Sequence, residues 1–94
     1  MAERVAQLLA TAAAVSKLGA RSISTDEIDQ LPRNRYVLVR NPRSPGDDRR
    51  LMIGRTDGGR PLTVVIERTI DPTTWVIVTG WNASAVERRL LAVR

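Results

Sequence analysis

Arg50-Leu-Met-Ile-Gly-Arg-Thr-Asp-Gly-Gly-Arg-Pro-Leu-Thr-Val-Val65 is the stretch on which the fold turns. Two apolar, largely β-branched runs flank Thr56-Asp-Gly-Gly-Arg60. Glycine adopts positive φ without steric cost, so this pentapeptide predicts a hairpin between two strands. Alternation puts Leu51, Ile53 and Arg55 on one face of the first strand, with Met52 and Gly54 opposite. On the second strand Leu62, Val64, Ile66 and Arg68 share a face, and Thr63, Val65 and Glu67 take the other. Tyr36-Val-Leu-Val-Arg40 upstream and Trp75-Val-Ile-Val-Thr79 downstream read as two more strands. The latter is reached through a turn near Asp71-Pro72. Asn41 to Asp48 is a loop rich in turn residues. Sequential strands on short connections predict an antiparallel meander.

Helices bracket the strands. Val5, Leu8, Leu9, Ala12, Val15 and Leu18 recur at helical spacing and predict a helix over 3–18, stopped at Gly19. Ser24-Thr-Asp-Glu27 matches a capping box, and a short helix over 25–31 ends before Pro32. Ser84-Ala-Val-Glu87 is a second capping box. It opens a helix over 83–93 with Val86, Leu90 and Val93 as its stripe. The expected fold is α+β: two N-terminal helices, a four-stranded antiparallel sheet and a C-terminal helix, with the helices on one face. The 94 residues form one domain, helical over 1–31, sheet over 35–80 and helical again over 83–93.

Composition narrows the chemistry. The chain has no cysteine and no histidine, which excludes disulfides, thiolate sites and the commonest general base and zinc ligand. Its carboxylates are scattered, apart from Asp26/Glu27/Asp29 and Asp47/Asp48, which suit helix-start and turn positions. No metal and no cofactor is expected. The best apolar run, Val5 to Val15, is too short to span a membrane, and Glu3 and Arg4 before it argue against a leader, so a cytoplasmic protein is expected.

The charge points to an anionic partner. The net charge is +5, and residues 33–60 hold eight arginines against three aspartates, which accounts for the whole excess. Of the cations, 14 are arginine and one, Lys17, is lysine. Arginine presents a planar fork that binds phosphate bidentately and stacks on bases, so nucleic acid is the first candidate partner and an acidic protein the second. A high-GC genome explains the ratio equally well, though not the clustering. Arg40, Arg49, Arg50, Arg55, Arg60 and Arg89 are candidate nucleic-acid contacts. Arg49 and Arg50 could instead pair with neighbouring acids. Trp81 could stack on a base, anchor a partner or lie buried under the last helix.

Metal-free RNA cleavage needs a base for the 2′-hydroxyl and cations for the phosphorane. Arg55, Arg60 and Arg88 could supply the charge and Glu87 the base, although Glu87 also has a place in the capping box. Glu67 fits a cross-strand ion pair better than a base, and Tyr36 fits packing better than proton donation.

The ordered set of motifs adds to this reading. It runs Lys17-Leu-Gly-Ala20, Thr25-Asp-Glu-Ile28, Asn41-Pro-Arg43, Arg50 to Thr56, Gly59 to Val65, Trp75 to Thr79, Ala83 and Glu87-Arg-Arg89. Over residues 17–94 the chain resembles the BrnT-type toxins of bacterial toxin–antitoxin pairs, within the RelE-like superfamily of small ribonucleases. The resemblance implies a toxin that cleaves RNA, slows translation and is masked in a hetero-oligomer with a cognate antitoxin protein. It also marks two departures. Leu18 stands where the family often has histidine, and Trp81 where it often has arginine. A catalytically degenerate toxin fold that binds RNA or a partner is the alternative, and a DNA-binding regulator ranks below both, since no helix-turn-helix is present.

Overall fold

In the computed structural model the structure describes residues 3–41 and 48–92. Most of the loop read over 41–48, including the Asn41-Pro-Arg43 motif beyond Asn41, lies outside them, as does Val93. The elements run β1 (Gln7–Ala10), α1 (Ala12–Gly19), α2 (Thr25–Asp29), a 3-10 turn (Leu31–Arg33), β2 (Tyr36–Arg40), β3 (Arg49–Arg55), β4 (Pro61–Arg68), β5 (Thr74–Asn82) and α3 (Ala85–Ala92). The fold is α+β, with helices flanking a multistranded sheet.

The meander is there: β2, β3, β4 and β5 pair antiparallel in sequence order. The sheet is nevertheless mixed and five-stranded, in the order β1-β5-β4-β3-β2. The helix expected over 3–18 is overturned in its first half. Residues 7–10 form β1, parallel to β5, with Leu8 opposite Trp75 and Ala10 opposite Ile77. Thr11 marks the change. It sits in extended backbone, and its hydroxyl accepts the Ala14 N–H at 3.1 Å, the geometry of an N-cap. The apolar residues before it suit a strand as well as a helix, and the open edge of β5 supplies hydrogen bonds that an isolated turn lacks.

The two sheet faces carry different layers, which corrects the expectation of helices on one face. Leu18, Ile28 and Leu31 pack with Met52, Leu62, Val64, Ile66, Trp75 and Ile77 to form the larger core under α1 and α2. α3 lies on the opposite face, where Leu91 and Ala83 pack on Ile53 beside Val37 and Val39. The alternation read from β3 and β4 holds: Met52 opposes Val64 on one face and Ile53 opposes Thr63 on the other. A bulge between Val65 and Ile66 in the pairing with β5 lets Gly80 follow Ile77 onto the α1 face. There a Cβ on Gly80 would stand 3.0 Å from Leu18 Cδ2 and 3.1 Å from the Thr63 carbonyl oxygen.

Candidate nucleic-acid interface

The hairpin at residues 56–60 builds one end of the sheet. Thr56 N–H donates to the Arg60 carbonyl at 3.0 Å and Gly59 N–H to the Thr56 carbonyl at 2.9 Å, with Gly59 at φ +90. The 3-10 turn holds this hairpin from the side. Asn34 donates to the Arg55 carbonyl at 3.0 Å and to Asp57 at 2.9 Å, while Gln30 accepts the Asp57 N–H at 2.8 Å. Arg33 pairs with Asp57, and that guanidinium, with Asn34, holds the Asp57 carboxyl below the usual aspartate range. The charge of Asp57 is therefore matched by Arg33.

Between this hairpin, residues 34–35 and the end of α3 lies a cleft of 420 Å³, lined by Asn34, Arg35, Arg55, Thr56, Asp57, Gly59, Leu91 and Ala92. Continuing the pairing of Tyr36 with Gly54 places Arg35 opposite Arg55 on the α3 face. Among the described residues, the one hydrogen bond of the Arg55 side chain goes to the Gly59 carbonyl at 3.2 Å. A guanidinium has five donors, so most of its fork is open to a ligand. Arg35 and Asn34 were missed in the sequence. Extending the alternation of Val37 and Val39 back by two would have placed Arg35 on this face.

Arg60, expected to act with Arg55, faces the other way. It shares the Leu62 and Val64 face under α2. There it donates to Glu27 at 2.9 Å, to the Ser22 carbonyl at 3.0 Å and to Asn82 at 3.0 Å. Glu27 completes the predicted capping box with Ser24. The Ser24 backbone N–H first, and Arg60 second, hold its carboxyl below the ordinary range. Arg60 thus ties the start of α2 to the sheet.

Glu87 is also engaged. Its carboxylate accepts the Ser84 N–H at 2.7 Å and the Trp81 indole N–H at 3.1 Å. Burial pushes this carboxyl up. Donation from Ser84 and Trp81, with Thr63 close by, outweighs burial and leaves the pKa below the usual glutamate value. The Thr63 hydroxyl is fully buried beneath this pair without a partner at ordinary hydrogen-bond distance. Trp81 is half-buried near the end of β5, opposite Thr63. Arg88 donates to the Ala83 carbonyl at 3.0 Å, and Arg89 is exposed in the last turn of α3.

The remaining candidates sit at the far end of the sheet. Arg49 lies opposite Glu67 and pairs with it at 2.8 Å, the cross-strand ion pair expected for Glu67. Arg50 is buried on the α1 face, where it donates to Glu3 at 2.9 Å and 3.2 Å and to the Arg49 carbonyl. Arg68 also pairs with Glu3 and lies 5.2 Å over the Trp75 ring, whose indole N–H donates to the Arg4 carbonyl. Arg40 is exposed at the end of β2 and makes interactions of its own. The arginines therefore do not form one basic surface. Arg55 and Arg35 are brought together near α3, Arg60 is on the opposite face, and Arg40, Arg49 and Arg50 are at the other end. No group of three or more His, Cys, Asp or Glu that could hold a metal occurs among the described residues.

No curated protein and no solved structure matches the chain. A family profile described as a domain of unknown function, DUF4258, matches residues 11–80. That span runs from Thr11 through the bulge of β5 and includes Arg35, Arg55 and Arg60, while β1 and α3 with Glu87 and Arg88 fall outside it. The match covers most of the chain, and the chain belongs to the DUF4258 family.

Proposed function

We propose that this chain is an RNA-directed toxin domain of the BrnT and RelE-like kind, a metal-independent ribonuclease that grips the phosphodiester backbone in the Arg35/Arg55 cleft. One observation carries the reading. Arg55 projects an open guanidinium fork into a cleft where the only carboxylate among the described lining residues, Asp57, is matched by Arg33. A phosphate there would meet planar donors and little competing negative charge. In strand cleavage the 2′-oxygen, its proton passing to solvent water, bonds to phosphorus, the P–O5′ bond breaks with the 5′-oxygen taking a proton from water, and Arg55 and Arg35 would stabilise the dianionic phosphorane between these events. A cytoplasmic antitoxin protein covering this end would neutralise the toxin as a hetero-oligomer.

A second reading, binding without cleavage, is favoured by Glu87. A carboxylate held below its ordinary pKa by Ser84 and Trp81 is a weak general base at neutral pH. Induced expression in a bacterium, with total RNA resolved in parallel, separates the two. Growth arrest with RNA fragments that disappears in Arg55→Ala supports the nuclease. Normal growth, with purified protein still binding single-stranded RNA through Arg55, supports the binding module. Arrest and fragments unaffected by Arg55→Ala and Arg35→Ala would sink the cleft assignment.

A further inference from the structure

The sheet has three stretches of open edge, and they are not treated alike. β1 is four residues long and ends at the Thr11 cap. The part of β5 beyond β1 is guarded by Arg21, which donates to the Thr79 hydroxyl and the Gly80 carbonyl. The third is β2, whose one charge, Arg40, lies at its end. Tyr36-Val-Leu-Val-Arg40 has no proline, pairs with β3 without a bulge, and points no charge inward. Its four apolar residues are only half-buried, although Tyr36 and Leu38 touch the α1-side core and Val37 and Val39 the α3-side core. What is exposed is the side that faces away from β3.

The hydrogen-bond phase of that edge follows from the hairpin. The Thr56–Arg60 bond makes Gly54–Leu62 and Met52–Val64 the bonded pairs of β3 and β4. Leu51 and Ile53 then turn their backbone groups toward β2, where they meet Val39 and Val37. The backbone groups of Tyr36 and Leu38 point outward, and no described residue pairs with them there.

We propose that a second copy of this chain pairs with β2, strand against antiparallel strand, in a two-fold register centred on Leu38. This register sets outward-facing residues against outward-facing residues. Leu38 meets Leu38 of the second copy, Val37 meets Val39, and Tyr36 meets Arg40. Unlike side chains face each other at every charged position. Moving the centre to Arg40 would oppose two arginines, and moving it to Val37 or Val39 would place residues already bonded to β3 at the dyad. The choice of a second copy rests on this self-complementarity. The product is a continuous sheet of two five-stranded halves with the β1 strands at its outer edges and the two Arg55 clefts beside the seam, at opposite ends of the paired β2 strands, and it does not depend on those clefts binding RNA.

Two measurements on the full chain test the proposal. Sedimentation should give a particle of twice the chain mass that dissociates on dilution. Amide exchange should show Tyr36 and Leu38 protected along with Val37 and Val39, and Tyr36 and Leu38 should exchange roughly tenfold or more faster once the protein is diluted to monomer. Leu38→Pro removes an outward N–H that β3 does not use, and should yield a folded monomer. If that variant does not fold, the exchange pattern of the wild type still decides. A monomer at every concentration would overturn the proposal. So would a dimer in which Tyr36 and Leu38 exchange as fast as exposed loop amides, including one held by a different surface.

Discussion

The two ends of β3 carry the same residue type and do opposite things with it. At its start Arg49 is paired with Glu67, and Arg50 is buried against Glu3 beside Arg68 and Trp75. At its end the Arg55 side chain, among the described residues, holds only the Gly59 carbonyl and faces a cleft. Arg50 in the closed cluster and Arg55 at the open end share one extended strand, with about 3.3 Å of rise per residue between them. Arginine count and clustering therefore say little about binding. What matters is whether a carboxylate has been folded onto the guanidinium, and at the start of β3 the carboxylate arrives from Glu3, 47 positions away in the chain.

Breaking the closed end should have the largest effect. Arg50→Ala leaves Glu3 without its buried partner and should cost about 2 kcal/mol of folding stability, below the range for fully buried pairs because Glu3 keeps some solvent contact. Urea denaturation reads this, and RNA affinity of the folded fraction should be unchanged. Breaking the open end should invert the pattern. Arg55→Ala should leave stability within about 0.5 kcal/mol and lower single-stranded RNA affinity about tenfold, near 1.4 kcal/mol. Equal losses of stability in both variants would erase the contrast.

A pH titration sharpens it further. Salt links and hydrogen bonds hold the Glu3 and Glu27 carboxyls below 4.5, Glu3 chiefly through Arg50 and Glu27 chiefly through Ser24. A group with a depressed folded pKa stabilises the fold above its unfolded value and loses that contribution as pH falls through the folded one. Stability should be level above pH 4.5 with respect to these groups and decline below it. The decline should be shallower in Arg50→Ala and unaltered in Arg55→Ala, as followed by thermal melts across acid pH. The smallest effect belongs to Arg49→Ala. Its pair with Glu67 is more than two-fifths exposed on both sides, so stability should move by less than about 0.5 kcal/mol.

Local signals carried much of the fold. The glycine hairpin fixed the β3–β4 pair, and the Ser24–Glu27 and Ser84–Glu87 boxes placed two helix starts. β1 was hidden because its partner, β5, lies more than 60 residues downstream and pairs in parallel, so no turn announces it. Thr11 was the available hint of a break in the first helix. The face taken by α3 was hidden too, since its stripe of Val86 and Leu90 is exposed while Leu91 makes the contact.

The candidate site was legible one residue at a time and not as a constellation. Arg55 was visible at the end of its strand. Its separation from Arg60 required the cross-strand register, which places Met52, Leu62 and Arg60 on one face and Ile53 and Arg55 on the other. Glu87 was recognised in its cap, but the Trp81 indole that further lowers its basicity is a tertiary contact made across the β5–α3 junction.

The salt dependence of single-stranded RNA binding shows which end of β3 grips phosphate. It should be measured for the wild type, for Arg35→Ala/Arg55→Ala, and for Arg49→Ala. If the cleft end grips phosphate, the slope of log affinity against log salt should shrink by about 1.4 in the double variant, two contacts at about 0.7 each, and stay unchanged in Arg49→Ala. A slope that falls in Arg49→Ala and holds in the double variant would contradict the account and move the interface to the other end of β3.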